Sequence, residues 1–275
     1  MPLGTDSSNG EIIMLPTVDF CGLQITRLIV GANPFGGFSH QSKSRDAEMV
    51  AFHTLEQINE TWDRAHKSGI NTMITNNETP RVMQAVEAYL SGGGPMQWIA
   101  QVNNRTEADM AAAVERAVEV GCKALYFHGA RIDGLYTEQD DKTLRQWVDH
   151  ARSLGVVVGV AAHAPQVHLW VDSLDIVDFH AVPFFNCGSL HEGRGLKFKL
   201  RDVPAATECI RKIQKPCIGY KIMGAGRIDA RMAFEYALDQ IKPTDVVNVG
   251  MHRGDKDDMV EENVSIVEEV LRSGM

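Results

Sequence analysis

Eight short apolar runs recur along the chain, each followed by a longer segment of helical period. They are ITRLIVG (25–31), NTMITN (71–76), QWIAQV (97–102), CKALYFH (122–128), GVVVGVAAH (155–163), LDIVDFHAV (174–182), CIGYKIM (217–223) and DVVNVGM (245–251). A run of strand length followed by a helix cannot bury its faces alone. Repeated eight times, it predicts a parallel sheet closed into a (β/α)8 barrel. An open doubly wound sheet would use fewer strands and a GxGxxG turn after the first, and none is present. The clearest helix is EADMAAAVERAVEVG (107–121), with Met110, Ala113, Val114, Ala117 and Val118 on one face and Gly121 at its C-terminal cap. The segment EIIMLPTVDFCGLQ (11–24) reads as a β-hairpin before the first strand, placed to plug the bottom of the barrel.

The 275 residues suit one barrel domain spanning the chain, with the polar residues 1–10 as a frayed lead-in. A formal net charge of -9 with scattered Lys and Arg argues against nucleic acid or an anionic membrane as a partner. No apolar run approaches the ~20 residues of a membrane span, and the N-terminus lacks signal-peptide character. The five cysteines form no CxxC pair, which fits a reducing, cytoplasmic setting. The partner expected is a small molecule. The stretch 39–58 is longer than the first strand needs to reach its helix. It reads as a covering loop plus an extra helix, or as a contact surface in a homo-oligomer.

Barrel chemistry sits at the C-terminal ends of the strands. The residues there are amide-rich and moderately basic: Asn33; Asn76 and Glu78; Gln101, Asn103 and Asn104; His128, Arg131 and Asp133; His163; Phe184 and Asn186; Lys221 and Arg227; His252, Arg253 and Asp255. Such a mouth suits a hydroxylated or anionic compound. His128 and His163 each end a strand, and with Glu78 and Lys221 they are the candidates for acid–base work. Asn33, Asn76, Gln101, Asn103, Arg131, Phe184 and Asn186 are the candidates to bind substrate. Asparagines also follow strands simply because they accept turn geometry. The segment FFNCGSLHEGRGLKFK (184–199) has the length of a loop that closes over a site. His128 and His163 would need a third ligand, from Glu78, His191 or Glu192, to hold a divalent metal. No HxH or HExxH spacing supports one, so no metal site is assigned. In the sixth run Phe179 and Ala181 should face the barrel, which sends His180 to the helix side.

Taken in order, FCGLQITRLIVGANPFGG, AHKSGINTMI, ALYFHGARID, VDFHAVPFFN, GYKIMGAGRI and VVNVGMHRGDKDDMVEENV resemble the hairpin, strands and last helix of aldo/keto reductases, from about Val18 to Leu271. The resemblance implies a barrel that reduces carbonyls with NADP(H) through a tetrad of Asp, Tyr, Lys and His. It places His128 at the tetrad histidine. Thr75 stands near the aspartate position with no tyrosine close by, and Gln101 or Val102 stands where the lysine would be. The family's Ser-Asn contact to the nicotinamide carboxamide corresponds to Ala161 and Ala162, and its glutamine to Ala181. Each loss leaves a polar substituent unpaired, at ~1–3 kcal/mol. NADP(H) in the usual pose is therefore disfavoured. The phosphate end is better kept: Gly224, Gly226 and Arg227 in GAGR, and His252, Arg253 and Asn263 in the run that opens the last helix. The expectation is a redirected barrel enzyme acting on a small hydroxylated or carbonyl compound, sugar-like in character. The alternatives are an NADP(H)-dependent reductase and a barrel that binds a small ligand without catalysis.

Overall fold

A computed structural model describes residues 14–185 and 198–274. The lead-in 1–10 and most of the loop 184–199, including Asn186, His191 and Glu192, lie outside the described residues. Strands β1 (Thr17–Phe20) and β2 (Leu23–Thr26) form the expected antiparallel hairpin. Eight parallel strands then close a barrel: β3 (Leu28–Gly31), β4 (Thr72–Asn76), β5 (Gln97–Val102), β6 (Ala124–Phe127), β7 (Val157–Ala161), β8 (Phe179–Pro183), β9 (Cys217–Tyr220) and β10 (Val246–Gly250), which pairs with both β9 and β3.

The helices cover the outside. Between β3 and β4 come α1 (Lys43–Phe52) and α2 (Leu55–Lys67), so the long 39–58 segment does supply an extra helix. The others are α3 (Pro80–Ser91), α4 (Met110–Val120), α5 (Gly129–Glu138), α6 (Asp141–Ser153), α7 (Pro165–Leu174), α8 (Asp202–Lys212), α9 (Ala230–Gln240) and α10 (Met259–Ser273). Gly121 ends α4 at φ 109°, a left-handed cap that a residue without Cβ adopts freely. α5 has no counterpart in the sequence reading. Gly129 and Gly134 weaken its helix propensity, but Ile132 and Leu135 bury against the barrel and decide the matter. Among the described residues no helix is long and apolar enough to cross a membrane.

The barrel interior is layered. Ile29, Ile74, Ile99, Ala124, Phe179, Ile218 and Val246 form an apolar cluster with Phe20 and Ile25 of the hairpin, which seals the bottom. The Phe20 and Phe179 rings meet edge-on at 5.2 Å. Side chains alternate along a strand, so the inward position two residues further on belongs to the next layer up. There the chemistry changes. Ile74 gives way to Asn76, Ile99 to Gln101, Ala124 to Tyr126, Ile218 to Tyr220 and Val246 to Asn248. Asn76 is in register with Gln101, Gln101 with Tyr126, and Tyr220 with Asn248. A polar layer thus floors the C-terminal mouth.

Candidate functional site

A cavity of about 720 Å³ opens above this floor. His128, His163, Glu78 and Lys221, the four expected acid–base residues, all line it, as do Asn33, Asn76 and Gln101.

His128 follows β6 and caps α5. Its Nδ1 accepts the Ala130 backbone N–H at 3.2 Å. That fixes the proton of the neutral ring on Nε2. Burial, reinforced by repulsion from His163, Arg105, Lys221 and Arg131, pushes its pKa down to about 4. The ring is therefore a neutral hydrogen-bond donor at ordinary pH. His163 follows β7. Its Nδ1 lies 2.5 Å from Asp133 Oδ2, and its backbone N–H donates to Asp133 Oδ1 at 3.1 Å. A carboxylate on Nδ1 holds the proton there and leaves the lone pair on Nε2, the arrangement of an oriented base. Gly129 makes room for it. A Cβ at that position would lie 3.0 Å from His163 Cε1 and 3.2 Å from Nδ1.

Glu78 is less available than its position suggested. Oε1 accepts from Asn103 Nδ2 at 2.8 Å, and Oε2 is paired with Arg105 at 3.3 Å. Asn103 does not reach the cavity as a substrate contact. It is 1% exposed, and its Oδ1 accepts from Arg131 Nε at 2.8 Å. Asn103 and Arg131 thus form a network behind the wall that braces Glu78. Phe184 is also displaced from its expected role. It is buried beneath Gly219 and packs on Tyr236 in the outer core, so it walls no ligand site.

The expected phosphate seat is changed most. Arg253 is 4% exposed and donates to Glu60 and Asp257, both at 2.8 Å. Arg64 binds Glu261 and Asp257, Lys256 binds Glu262, and Arg45 binds Asp255 and Glu48. The start of α10 is thus filled by the chain's own carboxylates. His252 Nδ1 is taken by His53 Nε2 at 2.9 Å in a buried pair, and Asn263 is buried within α10. Gly226 does line the cavity. Arg227 lies against the Phe198 ring at 4.2 Å and donates to the Gly224 carbonyl at 2.9 Å. Ala161 and Ala181 present no polar group where a carboxamide would need one. These residues do not fit NADP(H) held in the family's manner.

Among the described residues Glu48, His252 and Asp255 are the three groups close enough to share a cation, with ligand atoms within 4.8 Å. The Arg45 guanidinium already neutralises both carboxylates. His180 faces the helix side as expected, with its Nδ1 3.2 Å from that of His168 of α7. Burial holds both rings neutral.

The sequence reading missed Asp133 as the partner of His163, and Tyr126, Tyr220 and Asn248 in the floor. The strand alternation carried a signal for the last three: each lies two residues beyond an inward apolar position. The Asp133–His163 pair had none, because it joins a residue inside α5 to the end of β7.

No family model matches the chain, and no curated protein matches it. Solved structures do. Two structures from Pseudomonas aeruginosa, each provisionally named an aldo-keto reductase, superpose with TM-scores of 0.66 and 0.65 at 17% and 18% identity. Both cover 94% of this chain, and 97% and 98% of theirs. The 3-hexulose-6-phosphate synthase of Salmonella typhimurium superposes with a TM-score of 0.56 at 15% identity, over 91% of this chain and all of that one. At such identities the likeness is one of backbone, and what it establishes is an aldo/keto-reductase-like (β/α)8 barrel.

Proposed function

We propose that this barrel is an enzyme that moves a proton on a small hydroxylated carbonyl compound, sugar-like in size, at the C-terminal mouth. One observation carries the reading. The same cavity holds a neutral imidazole that can only donate, His128, and an imidazole whose Nδ1 is fixed by a carboxylate, His163. Separate donor and base fixed by their surroundings are the arrangement that acid–base catalysis needs.

The step begins with His163 Nε2 taking the proton from the carbon next to the carbonyl. The C–H electron pair becomes a carbon–carbon double bond, and the carbonyl π pair moves onto oxygen. His128 Nε2–H stabilises that oxyanion by hydrogen bonding, and Asp133 stabilises the imidazolium formed on His163. Transfer of the α-hydroxyl proton to the former carbonyl oxygen, and return of the proton held on His163 to the former carbonyl carbon, complete an isomerisation. Return to the original carbon, after exchange with solvent, leaves a deuterium label in D2O.

The test is to incubate the protein in D2O with a panel of trioses, pentoses, hexoses and their oxidised acids, and to follow the C–H signals by NMR. Label is expected at the carbon beside the carbonyl in at least one compound, and His163→Asn should slow its appearance by roughly 10²–10⁴-fold. No exchange anywhere in the panel would overturn the reading and leave a barrel that only binds. A reductase would instead show itself by carbonyl-dependent oxidation of NADPH.

A further inference from the structure

The side of the cavity wall formed by β4, β5 and β6 has a consistent polarity once its amides and its strand-end imidazole are followed to their partners. Asn76 Oδ1 accepts two backbone N–H groups, from Glu78 at 3.0 Å and Thr79 at 2.9 Å. That settles which end of the amide is which, because only an oxygen can accept both. What Asn76 has left is its NH2. Gln101 Oε1 accepts from the Tyr126 hydroxyl at 3.2 Å, which again leaves the NH2. His128 Nδ1 accepts from Ala130, which leaves Nε2–H. At three consecutive strand ends, β4, β5 and β6, the protein engages the acceptor and leaves a donor.

These donors are close together. Asn76 and Gln101 are in-register neighbours on adjacent strands, so their side chains rise side by side, about 5 Å apart. His128 stands two residues above Tyr126, the register partner of Gln101. The carboxylates at this part of the wall are engaged: Glu78 has one oxygen on Asn103 and the other on Arg105, and Asp133 has its oxygens on His163 Nδ1 and the His163 backbone N–H. A neutral polyol offers a hydroxyl proton for every hydroxyl oxygen and would want acceptors on the wall in equal number. A carboxylate offers only acceptors and matches the donors left at these three strand ends.

We infer that the site takes a carboxylate: the substrate is a small hydroxy- or oxo-acid, a sugar acid rather than a neutral sugar. Its carboxylate seats on the amide nitrogens of Asn76 and Gln101, with the carbonyl or hydroxyl oxygen beside it on His128 Nε2–H. This rests on the acid–base reading above for the carbon that reacts, but the seat itself is a matter of binding and is tested without turnover.

The experiment is calorimetric titration of the wild-type chain at pH 7.5 and constant ionic strength. The probes are glycolate, D-glycerate, D-gluconate and D-glucuronate, each against its neutral primary amide. At least one acid should bind ten-fold or more tightly than its amide. Gln101→Glu keeps the length of the side chain and can still accept from Tyr126, but sets a like charge against the ligand. It should weaken that acid ten-fold or more and leave the amide nearly unchanged. If no acid bound more tightly than its amide, or if Gln101→Glu left the acid's affinity intact, the carboxylate seat would be wrong. His163→Asn separates the two proposals. It should slow deuterium exchange by the same roughly 10²–10⁴-fold while retaining the acid's affinity. Acid binding without exchange in the wild type would reject the proton-transfer reading alone, and exchange of neutral sugars without acid preference would reject the seat alone.

Discussion

Gly129 shows how a single missing Cβ can hold a site together. It is the first residue of α5, where alanine would suit the helix better. Alanine would press the ring of His163 at 3.0 Å and require it to give way. Gly129→Ala is therefore expected to lower the rate of deuterium exchange about ten-fold by turning His163 off Asp133. Stability should change by no more than about 1 kcal/mol in either direction. Parallel exchange assays and thermal melts check this, and an unchanged rate would mean that the ring has room to shift. Residue identity alone gave His128, His163, Glu78 and Lys221 as mouth residues, and all four are there. It could not say that Glu78 is held by Asn103 and Arg105, or that Arg253 is spoken for by Glu60 and Asp257. Those pairings depend on which side chains meet across elements.

Among the elements, the β1–β2 hairpin and α5 contrast in how legible they were. The hairpin declares itself by alternation around a tight Cys-Gly turn, and its task follows from the open bottom of the barrel. Phe20 is fully buried there, against Phe179. Phe20→Ala should open a void at the sealed end and destabilise the protein by about 3–5 kcal/mol. The affinity of the mouth for its ligand should stay unchanged, because the apolar layer lies between them. Urea unfolding together with a ligand titration tests both halves. α5 was hidden because its two glycines and short length give a weak local signal, and only the burial of Ile132 and Leu135 makes it a helix. Its formation turns His128 from a strand-end residue into a helix cap. That contact fixes the tautomer on which the proposed chemistry depends.

Across the whole molecule, buried neutral histidines tie stability to pH. Burial is the main cause in each case. It lowers the pKa of His53 to about 3, of His128 and His168 to about 4, and holds His180 well below its ordinary value. In the unfolded chain these rings titrate near 6.5. Below that pH the unfolded state binds protons that the folded state refuses, so their stabilising contribution is full above about 6.5 and is lost as pH falls toward 4. Thermal melts between pH 7.5 and 5 at fixed ionic strength should show a falling midpoint, with about four protons from these histidines taken up on unfolding at pH 5. A flat profile over that range would contradict the burial of these rings as neutral species.

The sequence by itself determined the barrel, its plug and the place of its mouth. Those follow from local alternation: period two along a strand, 3.6 along a helix, and the eight-fold order in which they recur. Tertiary structure decided what each mouth residue can do. His163 meets Asp133 across 30 residues, His53 meets His252 across 199, and Arg45 meets Asp255 across 210. The tautomer of His128 came from a helix that its own sequence barely supports. Donor or acceptor, charged or neutralised, is set by the partner that closure of the barrel brings alongside. No window of the sequence short enough to show a period contains both members of such a pair.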